Sequence, residues 1–148
     1  MDENARVPTA TPPTPFAPRA CPCDPARAYA RCCGPLHAGA AAGSAQALMR
    51  SRYSAFVVGD MDYLLRTWHT GTRPQALQPD PGLRWLGLQV RHETSTGRDS
   101  ATVEFVARCR AGGGSAVRLH EISRFLREDG QWRYVDGSFP TGGSSRAP

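Results

Sequence analysis

With 148 residues, the chain has material for one ordinary hydrophobic core plus a small module that could not fold on apolar contacts alone. Its formal net charge of +5 comes from 18 basic side chains, every one an arginine, against 13 acids, so lysine Schiff-base chemistry is excluded and every cationic contact is a guanidinium. Neither a signal-peptide-like apolar run near the N-terminus nor a stretch of about 18 apolar residues occurs, so secretion and membrane spanning are not expected and a cytoplasmic location is.

Residues 1–20 carry Pro8, Pro12, Pro13, Pro15 and Pro18 with Phe16 as the one large apolar anchor, a composition that predicts a disordered tail. Cys21-Pro22-Cys23 and Cys32-Cys33 then place four of the five cysteines within residues 21–33. Thiolates suit a soft divalent ion, and four of them with no open coordination position make a structural Zn²⁺ site rather than a catalytic one. A disulfide framework is the weaker alternative, because neighbouring cysteines rarely meet disulfide geometry and cross-pairing the clusters needs an oxidising compartment. Redox-active thiols are a further alternative. The reading is a zinc knuckle over residues 21–37 on Cys21, Cys23, Cys32 and Cys33, with Arg27 and Arg31 offsetting the excess thiolate charge. His37 is left out, since four cysteines complete the tetrahedron.

Ala38 to Gly43 reads as a small-residue linker, and the main domain is expected over residues 44–140. Ser44 caps a helix whose apolar face is Leu48, Met49, Tyr53, Phe56 and Val57, and Gly59 stops it. Asp60 caps a second helix with Met61, Leu64, Leu65 and Trp68 as its stripe, and a third helical piece is placed between Thr72 and Gln78. From Trp85 the apolar period changes to two. Strands are expected over Trp85–Glu93, Ser100–Arg110, Ala116–Glu128 and Gln131–Asp136, joined by short turns into an antiparallel meander, and residues 141–148 form a flexible tail. The fold class is α+β: a Cys₄ knuckle, then two or three helices on a four-stranded antiparallel sheet.

A two-residue Asp129-Gly130 turn pairs Phe125 with Tyr134 and Ser123 with Asp136. One sheet face then holds Val103, Phe105, Ala107, Cys109, Val117, Leu119, Phe125, Trp132 and Tyr134, and takes the helices. Glu121, Ser123 and Asp136 interrupt that face, and a buried acid is costly unless paired, hydrogen-bonded or protonated, so the three form a pocket candidate. The plain alternative is an ion pair between Glu121 and Arg50 or Arg52. The other face carries Arg108, Arg110, Arg118, Arg124 and Arg133 among Val106, Ile122, Leu126 and Val135.

Cys21-Pro-Cys with Cys32-Cys-Gly-Pro35, Ala47-Leu-Met-Arg-Ser-Arg-Tyr-Ser-Ala-Phe56, Thr67-Trp-His69, Trp85-Leu-Gly-Leu88, Leu119-His-Glu121 and Glu128-Asp-Gly130 together resemble the YchJ family. The resemblance runs from Cys21 to Gly137. It implies an N-terminal zinc-binding SEC-C motif, of the kind also found at the C-terminus of the SecA ATPase, and a domain resembling nuclear transport factor 2, whose curved sheet wraps helices around a conical cavity. Tyr53, Trp68, His69 and Arg73 join Glu121, Ser123 and Asp136 as candidates to line that cavity. The chain departs from the motif's usual lysine-rich loop, having Asp24 to Arg31 with only Tyr29, Arg27 and Arg31 in keeping, and lacks the second cysteine cluster of some members, so one zinc is expected.

These features favour an accessory protein acting through protein or ribosome contacts. A small-molecule binder or enzyme using the cavity is the alternative, with no catalytic residue assigned. Five arginines on one face permit nucleic-acid contact, but that face shows no aromatic for stacking, and it equally suits a homodimer, so nucleic acid is the less favoured partner.

Overall fold

The computed structural model describes residues 18–140; residues 141–148 and residues 1–17 of the tail expected over 1–20 lie outside them, and the end of that tail is ordered, with Arg19 O accepting from the Tyr29 amide and Ala20 in a strand. Ala20–Cys21 (β1) and Asp24–Ala28 (β2) form a small hairpin, followed by a 3₁₀ turn at Tyr29–Arg31 and a short helix, Cys33–His37 (α1). Ala45–Val58 (α2) and Met61–Arg66 (α3) lead into four strands, Leu83–Gly97 (β3), Ser100–Ala111 (β4), Val117–Glu128 (β5) and Gln131–Ser138 (β6), ordered β3-β4-β5-β6 and antiparallel throughout.

The helix boundaries follow from local chemistry. Ser44 accepts from the Ala47 amide at 3.0 Å, and Asp60 accepts from the Tyr63 amide at 3.0 Å. Gly59 ends α2 in the left-handed conformation at φ 82, which a residue without a Cβ adopts cheaply. No third helix forms between Thr72 and Gln78. Pro74 biases the residue before it away from helical geometry, and the Thr72 hydroxyl donates instead to Val135 O at 2.7 Å. The residues just before that segment cover the β6 edge: the His69 amide donates to Tyr134 O, the Tyr134 amide to Thr67 O, and Trp68 bridges Tyr134 in parallel.

Three register shifts along β3, at Trp85/Gly87, Val90/His92 and Ser95/Gly97, bend the edge of the sheet. Helix α2 lies against the bent sheet. Leu48, Met49 and Tyr53 pack with Val103, Phe105, Ala107, Leu119 and Phe125, and Trp85 closes over Tyr53 and Phe56 with ring centroids 5.7 Å away in each case. Two expected core residues are solvent-facing: Val57 is 40% and Val117 is 56% exposed, because each sits at the end of its element.

The β5–β6 pairing begins as expected, with Glu128 opposite Gln131 and Phe125 opposite Tyr134, but a shift at Arg124/Phe125 inserts one residue into β6. Such a bulge sends the following side chains to the opposite face. Asp136 is therefore opposite Arg124, not Ser123, and Ser123 faces Gly137.

Candidate metal centre and the cone interior

The four cysteines of the two expected ligand pairs come together. Their Sγ atoms all lie within 4.8 Å of one another, at 3.6 Å for Cys21–Cys23, 3.5 Å for Cys23–Cys32 and 4.0 Å for Cys32–Cys33. A tetrahedron with metal–sulfur bonds of about 2.3 Å has edges of about 3.8 Å, so the donor set has the size and type a zinc-like ion requires. All five cysteines are free. Within the cluster, hydrogen bonds from the Cys23 and Cys33 thiols pull Cys21 far below the usual thiol range, while sharing with Cys21 holds Cys33 far above it and Cys23 up at about 12. Four thiols at this spacing cannot all ionise unless a cation replaces their protons.

The cluster is not a separate bead. Cys21, Cys23 and Cys33 are 1–2% exposed and belong to the same apolar cluster as Leu48, Met49 and Tyr53. Helix α2 supplies Ser54, whose Oγ donates to Cys33 Sγ at 3.2 Å and lies 3.6 Å from Cys21 Sγ, and Arg50, which donates to Cys23 O at 3.3 Å. Arg27 sits beside Cys32, and that thiol raises the guanidinium's pKa. His37, set aside as a ligand, is a strut. Its Nε2 donates to Ser51 O at 2.8 Å, which leaves Nδ1 to accept from the Tyr29 hydroxyl at 2.6 Å. Ser54 and Ser51 were invisible as site residues, and their one signal is small hydroxyls on the inner face of a helix otherwise read as apolar.

The cone interior is lined by Arg52, Tyr53, Phe56, Trp85, Phe105, Glu121, Ser123, Phe125 and Tyr134, among others. Glu121 is 2% exposed, and burial holds its carboxyl above the usual carboxylate range. Its Oε2 accepts from Ser123 Oγ at 2.7 Å and from the Tyr134 hydroxyl at 3.1 Å. The expected ion pair with Arg50 or Arg52 does not form. Arg52 is 6% exposed and donates to Leu64 O and Thr67 Oγ1, both at 2.8 Å, with its guanidinium 4.5 Å from the Tyr134 ring centre and 5.0 Å from that of Trp68. Burial lowers its pKa to about 10. Replacing Arg52 with Met leaves the Leu64 carbonyl only the long 3.4 Å bond from the Thr67 hydroxyl and removes both ring contacts, so urea denaturation is expected to show a loss of about 3 kcal/mol; a variant as stable as the parent would contradict this role.

Four pocket candidates fall elsewhere. Asp136 lies outside with Arg124, whose Nε and Nη2 donate to it at 2.6 and 2.8 Å and hold its carboxyl below the usual range. His69 pairs with Glu128 at 3.0 Å, seven residues along β5 from Glu121 or about 23 Å by strand rise. Arg73 donates to Leu65 O, and Trp68 stacks edge-on to Tyr134 from behind, its Nε1 buried without a partner among the described residues. The interior volume is only ≈ 50 Å³, room for a few waters, whereas small-molecule pockets start near roughly 300 Å³. A second cavity of ≈ 190 Å³ lies between the 39–42 linker, α3 and the start of β6; its arginines, Arg66 and Arg133, are spent on the carbonyls of His37 and Arg66.

The basic face is also redrawn. Arg124 is neutralised by Asp136 and Arg133 turns to a backbone carbonyl, whereas Arg108, Arg110 and Arg118 are exposed.

Residues 44–137 match the family described as YchJ, middle NTF2-like domain. The chain belongs to the YchJ family. Its relatives include a UPF0225 protein of Xanthomonas campestris pv. campestris, 57% identical over 128 residues that cover 85% of this chain and 98% of that one. A UPF0225 protein of Bordetella parapertussis is 54% identical over 127 residues, 83% and 95% of the respective chains. Among solved structures, a SEC-C motif containing protein from Rhodopseudomonas palustris superposes with a TM-score of 0.72 at 35% identity, covering 81% of this chain and 98% of that one. Another from Psychrobacter arcticus gives 0.70 at 28% identity, covering 90% and 86%. The cysteine geometry and these SEC-C neighbours point to metal binding, and the NTF2-like assignment agrees with the α+β architecture. Among the described residues no helix is long and apolar enough to cross a membrane.

Proposed function

We propose that the protein is an accessory factor in which one Zn²⁺, held by Cys21, Cys23, Cys32 and Cys33, fixes a short basic loop for docking on a protein or ribosomal partner. The observation that carries this reading is the contrast between ligands and loop. Three of the four thiols are sealed in the core, while Pro25, Ala26, Arg27, Ala28, Ala30 and Arg31 between the pairs are exposed. Four thiolates leave no coordination position for a substrate, so the metal would supply rigidity and not chemistry. The small cone interior supports the same preference over a bound substrate.

Co-sedimentation with purified ribosomes, paired with metal analysis, tests this. The wild type is expected to carry about one zinc per chain and to pellet with ribosomes, and the double variant Arg27→Gln/Arg31→Gln, which adds no negative charge beside the cysteines, to keep its zinc and stay in the supernatant. Undiminished pelleting of the double variant would remove the loop from the function. A wild type that never pellets would remove the ribosome.

A further inference from the structure

Four exposed arginines occupy one end of the sheet's outer face as two directly opposed pairs. Arg84 is opposite Arg110 across β3 and β4, and Arg108 is opposite Arg118 across β4 and β5. Like charges set directly across a ladder oppose folding. Three other cations of the sheet and its turns have anionic partners, His120 with Glu104 at 2.7 Å, Arg124 with Asp136 at 2.6 Å and Arg127 with Asp99 at 3.0 Å, whereas Arg133 donates to a backbone carbonyl and the exposed Arg91 and Arg98 each stand without a second arginine across the ladder. Among the described residues, no carboxylate lies within ion-pair distance of any of the four.

We propose that this arginine quartet binds the sugar-phosphate backbone of double-helical RNA without reading its sequence. The charges form a regular lattice, with neighbouring strands about 4.8 Å apart and alternate residues along a strand about 7 Å apart. A regular charged lattice, with Val117 as its exposed apolar neighbour and no aromatic anchor, suits a regularly charged backbone better than a protein interface, whose affinity rests on buried aromatic and aliphatic groups. Core-facing Trp85, Cys109, Ala107 and Leu119 alternate with the arginines, so no aromatic ring stands among the four on which a single strand could stack. The quartet spans three strands, wider than the two-stranded ribbon that the major groove of B-DNA admits. A-form RNA instead presents a wide, shallow groove recognised through phosphates and 2′-hydroxyls. The exposed Gly112 to Gly114 turn at this end puts no side chain in the way.

The surface lies on the side of the sheet away from α2 and the metal centre, so its test is independent of the knuckle. Fluorescence anisotropy of the full zinc-loaded chain would be measured on a labelled RNA duplex of about 20 bp, longer than the roughly 16 bp that dsRNA-binding domains span. Each phosphate neutralised contributes about −0.9 to the slope of log K on log salt for a duplex, so affinity is expected to fall on the order of 100-fold between 50 and 200 mM salt. Arg108→Gln/Arg118→Gln is expected to flatten the slope by about two, and the exposed control pair Arg91→Gln/Arg98→Gln to leave it unchanged. An equal loss in the control, a slope insensitive to the quartet, or tighter binding to DNA duplex, polyglutamate or phosphatidylserine vesicles than to RNA would each overturn the proposal.

Discussion

Removing the metal from the purified protein with a strong chelator is expected to unfold the whole domain, not the knuckle alone. Cys21, Cys23 and Cys33 share one core cluster with Leu48, Met49, Tyr53, Val103 and Phe105, and Ser54 ties α2 to the cluster from inside. A structural zinc contributes an apparent ~10–16 kcal/mol in small peptides at neutral pH, against a net stability of about 5–15 kcal/mol for an ordinary domain. Losing it also leaves several thiols buried at 3.5–4.0 Å spacing with nothing to join them. Near-UV circular dichroism of Trp85, Trp68 and Trp132 should collapse together with the appearance of five reactive thiols, the buried Cys109 included, and Cys23→Ser should behave like the metal-free protein. Four reactive thiols alongside an unchanged aromatic signal and melting temperature would show the knuckle to be independent of the cone.

Gly137→Ala is expected to be the most damaging single change in the sheet. A Cβ there would overlap Glu121 Oε2 and lie 2.6 Å from its Cδ, so the carboxyl or the β6 backbone must move. Overpacking of this kind costs about 1–3 kcal/mol, and displacing an acid that accepts from Ser123 and Tyr134 adds a comparable amount, a fall in Tm of roughly 10 °C. In a Glu121→Ala background most of that cost should vanish. An equal penalty in both backgrounds would mean that the clash is with something else.

The same carboxyl sets a pH dependence. Burial raises the pKa of Glu121 in the native state above its unfolded value, so the folded protein holds this proton more tightly. That contribution is full below the unfolded carboxyl's pKa and is lost as pH rises through the native one. Glu121→Gln can still accept from Ser123 and Tyr134 but has no proton to lose. Denaturation at a series of pH values should therefore show a decline for the wild type that is absent from the variant. Parallel stability profiles would contradict it.

How far the sequence reaches can be argued from particular residues. Ser44, Gly59 and Asp60 announce the ends of two helices because capping is decided within four residues, and the alternation from Trp85 onward announces the meander because side-chain direction in a strand alternates locally. Spacing likewise selects the four thiols, since Cys-x-Cys and Cys-Cys have few uses besides a soft metal.

What local chemistry could not show is what depends on a neighbour distant in the chain. One inserted residue in β6 moved Asp136 from the supposed pocket to an ion pair outside and put Gly137 under Glu121, and a bulge has no reliable mark in the strand that carries it. Arg52, Ser54 and His37 look like ordinary surface-type residues in sequence, yet each is fixed by a partner 12 to 21 residues away. The arginine quartet needed Arg84, legible only once β3 was in register with β4. Residue type and spacing thus determined the two capped helices, the four strands of the meander, the α+β class and the four clustered thiols, because these are short-range choices. Only tertiary packing decided that the metal centre is part of the core, that the cone is nearly full, and where unpaired positive charge collects, because burial and register are properties of pairs of segments and not of either alone.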